Sequence, residues 1–131
     1  MLSKHTLQFL DDFCVKSHVA YPEGGVVWTY VEGANQAHSK FVNPHRKPEA
    51  VTLDFNQLGS WFQAALGVRS PMTYGSSGMA KELIGFLQAD LGIDSFLWGF
   101  EDNGYDMTAN IYMRRASDNR YFALELWWSV D

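Results

Sequence analysis

The last third of the chain, from Ile93 to Val130, contains the clearest pattern of apolar and polar positions. Apolar side chains recur at every second position, as expected for β-strands that bury one face. Two turn signals, Asn103–Gly104 and Ser117–Arg120, divide the stretch, and Asn-Gly is the strongest short signal for a hairpin. The pattern therefore predicts two consecutive hairpins, three antiparallel strands and one continuous apolar face.

The turns also predict the register of these strands. If the first turn is a two-residue loop and the second is a two- or four-residue loop, the apolar pairs stay on one face. A slip of one residue would move half of this set to the polar side, so the turn chemistry and the pattern agree. The predicted pairs include Trp98 with Ala109, Ile111 with Leu126, Tyr112 with Glu125, and Asn110 with Trp127.

Three other segments carry apolar residues at the spacing of an amphipathic helix, namely Ser3–His18, Asn56–Leu66 and Ser77–Leu91. The first begins with a serine, whose side chain can cap the helix. Gly67 and Gly92 follow the other two segments and can end them. We expect the apolar stripes of these helices to cover the apolar face of the strands.

Strand composition, rich in β-branched and aromatic residues, appears at Val26–Glu32 and Val51–Phe55. The segment Ser39–Asn43 is a candidate for one more short strand. Local antiparallel connections without alternation of strands and helices indicate the α+β class. We predict one α+β domain over residues 1–131, in which a mostly antiparallel sheet of five to six strands packs on one face against three helices.

Composition narrows the class of protein. The net charge of -5 and the pI of about 5.2 argue against a nucleic-acid partner. The single cysteine, Cys14, excludes an internal disulfide and fits a reducing compartment. The sequence has no pattern typical of a signal peptide and no apolar run long enough to cross a bilayer, so we expect a cytoplasmic protein without membrane contact.

Motifs for catalysis or metal binding are scarce. The four histidines lack the spacing of a zinc site, and the sequence contains no C-x-x-C pair. Cys14 falls on the predicted buried stripe of the first helix, which favours a packed thiol over a nucleophile. We therefore expect no metal and no cofactor and assign no catalytic residue.

The reverse face of the C-terminal strands carries the best candidate site. It places two large aromatic side chains beside an amide, a carboxylate and a guanidinium, a mixture typical of recognition surfaces. The alternative is that the N-terminal strands or residues 34–48 simply cover the two aromatic side chains. The candidate ligand-binding residues are Asn110, Tyr112, Arg114, Glu125 and Trp127.

Three functions are compatible with this face. The first is non-catalytic binding of a small organic or anionic ligand. The second is protein interaction, in which the face joins a partner or a second copy in a homodimer. The third is a small enzyme that uses Glu125 or a histidine as a general base.

A weaker candidate, for anion binding, lies where the third predicted helix begins. Free backbone N–H groups, hydroxyls and cationic side chains at a helix N-terminus suit a phosphate or a carboxylate. The alternative is that a serine caps the helix and the glycines allow the turn. The residues concerned are Arg69, Ser76, Ser77, Gly78 and Lys81.

Overall fold

A computed structural model describes residues 1–46, 49–67 and 77–129, which form four helices and five strands. The five strands make an open antiparallel sheet in the order β1-β5-β4-β3-β2, which confirms the predicted α+β class. The helices are α1 (Lys4–Ala20), α2 (Asn35–Val42), α3 (Phe55–Ala65) and α4 (Gly78–Leu91). The strands are β1 (Gly25–Glu32), β2 (Val51–Thr52), β3 (Ser95–Asp102), β4 (Asp106–Arg115) and β5 (Arg120–Ser129).

Helices α1, α3 and α4 share one hydrophobic core with the apolar face of the sheet. Trp98 of β3, Ile111 of β4 and Leu124 of β5 all lie in this core, on the face that the alternation predicted. The stripe of α4 is buried as well, and Leu83 and Leu87 expose no surface. Each large apolar side chain buried in this way contributes roughly 1.5–3 kcal/mol, so this core is the main source of stability.

Local hydrogen bonds set the ends of the helices. The Ser3 hydroxyl accepts a hydrogen bond from the backbone N–H of Thr6 at 3.3 Å, as the sequence predicted for the start of α1. The carboxylate of Asp54 accepts two from the first turn of α3, so the predicted strand Val51–Phe55 stops at Thr52. Gly92 ends α4 with a φ of 64°, the left-handed conformation that glycine adopts most easily.

The first hairpin turn lies one residue later than predicted. Trp98 faces Ile111, two residues beyond its predicted partner, so the predicted pairing is wrong. The backbone N–H of Asn103 donates to the carbonyl of Asp106 at 3.1 Å, which leaves Gly104 at the first central position with a φ of 91°. A glycine with positive φ at this position is typical of a type II′ turn. A shift of two residues keeps every side chain on its face, so the apolar pattern cannot detect it.

The second hairpin is also shifted by two residues. Arg115 faces Arg120 across a loop of four residues, and Asn119 at the end of this loop has a φ of 57°. Asparagine tolerates the left-handed region better than most residues, so it is well suited to this position of the loop. The guanidinium of Arg115 donates to both carboxylate oxygens of Asp118, at 3.0 and 2.9 Å.

This second shift changes the neighbours of the candidate site. The predicted pairing of Tyr112 with Glu125, and that of Asn110 with Trp127, are both wrong. Their faces are nevertheless as predicted, because the shift is even. The observed pairs are Tyr112 with Ala123, Asn110 with Glu125, and Thr108 with Trp127.

A fourth helix, α2, occupies the region where the sequence indicated a short strand at Ser39–Asn43. It packs on the reverse face of the sheet, where Ala34 and Ala37 form a small buried cluster with Tyr112 and Ala123. The small side chains allow close approach of the helix to the strands. A helix of only two turns shows too few apolar repeats to separate a period of 3.6 from a period of two. The sequence thus predicted the three helices on one face of the sheet but missed the fourth helix on the other face.

Candidate functional site: a cavity lined by three tryptophans

The aromatic side chain of Tyr112, predicted to bind a ligand, is buried beneath α2. It is only 4% exposed, and the ammonium group of Lys40 lies over its ring at 5.9 Å from the centroid. Burial, followed by the negative charges of Glu101 and Glu125, raises the pKa of the Tyr112 hydroxyl. Tyr112 therefore belongs to the packing between α2 and the sheet.

The other four residues predicted on this face do not form one common site. The guanidinium of Arg114 donates to the side-chain oxygen of Asn119 at 3.1 Å, at the far end of the hairpin. Asn110 and Glu125 face each other in mid-sheet and are half-buried. Trp127 lines a polar cavity of about 530 Å³ that carries three carboxylates. The other residues lining this cavity are Glu101, Asp102, Asn103, Asp106 and Thr108.

The predicted anion site lies partly outside the described residues, because Arg69 and Ser76 fall in the segment 68–76. Ser77 stands immediately before α4, and among the described atoms its side chain makes no capping hydrogen bond. Gly78 and Lys81 are exposed in the first turn of α4. Anion binding here stays a prediction.

A second cavity, of about 540 Å³, lies on the helix-facing side of the sheet, and we refer to it as the tryptophan cavity. One wall is a single face of α3, whose lining residues follow the helical spacing i, i+3, i+4 and i+7. Alternate residues at the end of β3 form part of the other wall. Met107 of β4 and Trp128 of β5, which are cross-strand partners, complete it. The lining residues are Gln57, Ser60, Trp61, Ala64, Trp98, Phe100, Asp102, Met107 and Trp128.

The three tryptophans are buried and held in place by other aromatic rings. Trp61, Trp98 and Trp128 are 4%, 5% and 6% exposed. The ring of Phe13 in α1 stacks on Trp61 with centroids 6.3 Å apart, and the ring of Tyr21 lies 5.2 Å from Trp128. The hydroxyl of Tyr21 also donates to the carbonyl of Ala64 at 2.9 Å, which ties this support to α3. These ring contacts and this hydrogen bond hold the walls in place.

The indole nitrogens of these three residues are the unusual feature of the site. All three are buried, and none donates a hydrogen bond to any of the described residues. A buried donor without an acceptor costs about 1–3 kcal/mol, and native proteins contain few such groups. All three nitrogens belong to residues that line the tryptophan cavity.

The rim of the cavity is polar and exposed, in contrast to its floor. Gln57, Ser60 and Asp102 are exposed there, together with Phe100, whose side chain is 46% exposed. The carboxylate of Asp102 is the single charge among the described lining residues, and it accepts a hydrogen bond from the backbone N–H of Gly104 at 2.8 Å. The site therefore combines apolar walls, which include three tryptophans, with one negative charge at the mouth.

The apolar residues that line this cavity have the same periodic spacing in the sequence as the residues of the hydrophobic core. Trp61 lies on the same predicted helix face as Leu58 and Phe62, which are fully packed. Periodicity assigns a side chain to a face, whereas the gap between two packed faces depends on side-chain volumes in three dimensions. Sequence reasoning therefore assigned all of these residues to the core.

Comparisons with models of known protein families, with curated proteins and with solved structures find no match for this chain. Within the described residues, no helix is both long and apolar enough to cross a membrane. The same part of the chain contains no group of three His, Cys, Asp or Glu side chains that could hold a metal ion.

Proposed function

We propose that this protein is a non-catalytic binding module that holds a small, largely apolar organic molecule in the tryptophan cavity. The observation that carries this proposal is a cavity of ligand size whose walls include three buried tryptophans. The volume, about 540 Å³, falls within the range of small-molecule sites, which are mostly apolar with a few oriented polar groups. The indole N–H groups of the three tryptophans lack acceptors among the described residues, and a ring that turns towards the cavity can donate to a bound molecule.

The walls also favour one kind of ligand. Flat ring systems match walls built from Trp61, Trp98 and Trp128, since aromatic rings pack well in offset or edge-to-face arrangements. Indole nitrogens can only donate, so the ligand should carry oxygen or nitrogen acceptors. The carboxylate of Asp102 at the mouth and the net charge of -5 disfavour an anion. We therefore propose a neutral aromatic molecule with carbonyl or ether oxygens.

Binding is a better interpretation than catalysis because the cavity contains little acid–base chemistry. Asp102 is the single titratable side chain among its described lining residues, and it is exposed at the rim. A general base has to lie within hydrogen-bond reach of the proton that it abstracts, and its pKa is usually adjusted by burial. The buried floor, where a ligand would lie, offers apolar surface instead.

An NMR titration of the ¹⁵N-labelled protein tests the proposal, because each of the five tryptophans gives its own indole N–H signal. We expect 2-acetylnaphthalene, a neutral ring system with a ketone, to move the signals of Trp61, Trp98 and Trp128. Two compounds with the same ring provide matched controls: naphthalene lacks the acceptor, and 2-naphthoate carries a negative charge. Both should bind more weakly.

The signals of Trp28 and Trp127 serve as internal controls, since neither residue lines the cavity. If 2-acetylnaphthalene leaves all five indole signals in place at saturating concentration, or moves that of Trp127 alone, the proposed site is wrong. Preferential binding of 2-naphthoate would contradict the proposed ligand class and leave the location intact.

A further inference from the structure

Strand β1 forms one edge of the sheet and pairs with β5 on its other side. The backbone N–H of Gly33, just past the strand, donates to the carbonyl of Tyr121 in β5. The backbone N–H and C=O groups of the odd-numbered residues of β1 therefore point towards β5. The N–H of Val26 points the other way and donates to the hydroxyl of Ser17 in α1 at 3.1 Å. Since strand backbones alternate, the even-numbered residues after Val26 present their N–H and C=O groups at the edge.

This edge lacks the usual protection against pairing. Val27 and Val31 are 48% and 46% exposed, and Thr29 between them is exposed as well. The strand contains no lysine and no proline, the residues that commonly block edges, and its single charge is Glu32 at the last position. A long, β-branched edge of this kind is a template for another strand.

The order of residues in β1 identifies the other strand. The segment Val27-Trp28-Thr29-Tyr30-Val31 has the same character in both directions: β-branched, aromatic, threonine, aromatic, β-branched. An isologous contact requires such self-complementarity, because two copies related by a two-fold axis present the same surface to each other. A second copy of this chain therefore fits the edge better than an unrelated peptide does.

We propose that β1 pairs antiparallel with β1 of a second copy, around a two-fold axis that passes beside Thr29. Val27 then faces the other copy's Val31, and Trp28 faces its Tyr30, so that apolar residues meet apolar ones on both faces. Trp28 and Tyr30 are even-numbered residues, so their outward backbone groups form the hydrogen bonds between the copies. The two sheets become one continuous sheet, and the tryptophan cavity, which contains no β1 residue, stays open.

Charge reversal at Thr29 tests both the contact and its register. Its side chain is exposed in one copy and would face its own counterpart in the dimer, so Thr29→Lys or Thr29→Glu alone should convert a dimer to a monomer. A mixture of the two variants should recover the dimer, because lysine then faces glutamate. Thr52→Lys, at an exposed position of β2 on the opposite edge, is the matched control and should leave the dimer intact.

Sedimentation over a dilution series measures these masses, and amide hydrogen exchange of the unmodified protein supplies a test that needs no variant. The amides of Trp28, Tyr30 and Glu32 should be protected at high concentration and lose this protection on dilution. The proposal is overturned by an unmodified protein that stays monomeric at its solubility limit. A dimer that survives both charge variants, or mixed variants that fail to associate, would overturn it equally.

Discussion

Trp127 and Trp128 are consecutive residues of β5 whose side chains line different cavities on opposite faces of the sheet. Trp128 lies on the floor of the tryptophan cavity, whereas Trp127 lines the polar cavity with three carboxylates. The alternation of side chains along a strand accounts for this separation. The same substitution at the two positions therefore changes one cavity and leaves the other unaltered.

We predict that Trp128→Phe weakens the binding of 2-acetylnaphthalene and that Trp127→Phe does not. The change at Trp128 keeps an aromatic ring but removes one of the three unpartnered donors. The loss of one hydrogen bond, worth ~0.5–1.5 kcal/mol, should raise Kd by about 2- to 12-fold. Isothermal titration calorimetry measures this difference. Equal affinities of the two variants would show that the indole of Trp128 makes no contact with the ligand.

Filling the cavity should abolish binding without unfolding the protein. Ala64 lines the cavity from α3, and the substitution Ala64→Leu would place an additional isopropyl group in the cavity. We expect the affinity for 2-acetylnaphthalene to fall by about tenfold or more, a loss of ~1.4 kcal/mol or more. The midpoint of thermal unfolding should stay the same or rise, because the larger side chain buries apolar surface.

The control for this change is Ala89→Leu, at an exposed position of α4 that does not line the cavity. It should preserve the affinity. An Ala64→Leu variant that is folded and binds as tightly as the unmodified protein would place the ligand elsewhere.

The faces of the C-terminal strands were predictable from sequence, whereas their register was not. Trp98, Ile111 and Leu124 lie in the core as the alternation indicated. Both hairpins nevertheless shift by two residues, because an even shift conserves every face and only the turn decides between the alternatives. The turn prediction failed because Gly104 takes the first central position of the first turn rather than the second.

The cover on the reverse face could not be predicted for a different reason. Tyr112 looked available for a ligand because the sequence did not decide whether the N-terminal strands or residues 34–48 cover it. Within residues 34–48, Asn35–Val42 form α2, and small residues such as Ala37 let the helix lie directly on Tyr112. Eight residues with few apolar side chains carry too weak a periodic signal, so tertiary packing determines this helix.

Two glycines offer a test of the first turn, since the same substitution should have opposite effects on stability. At Gly104 the backbone has a φ of 91°, so Gly104→Ala should lower the free energy of unfolding by about 1–2 kcal/mol through strain. At Gly85, in the middle of α4, an added methyl group meets open space, so Gly85→Ala should raise it by up to ~1 kcal/mol. Urea denaturation measures both changes. A stabilising Gly104→Ala would exclude the observed turn.

The thiol of Cys14 should react slowly in the folded protein. Burial in α1, followed by the negative charge of Asp11, raises the pKa of Cys14 from 9.0 to about 11. The thiolate is the reactive form, so at neutral pH its fraction falls on the order of 100-fold below that of the unfolded chain. The rate of reaction with a disulfide reagent, with and without urea, measures this difference.

The same shift predicts the sign of a pH dependence. The folded state holds the Cys14 proton more tightly than the unfolded state does, so the associated stability is complete below pH 9 and is lost as the pH rises towards 11. Asp11→Asn removes the second cause and should speed the reaction of the folded protein, whereas Asp12→Asn should not, because Asp12 makes no contribution to the shift. Equal acceleration by both variants would show that net charge, and not the position of Asp11, controls the thiol.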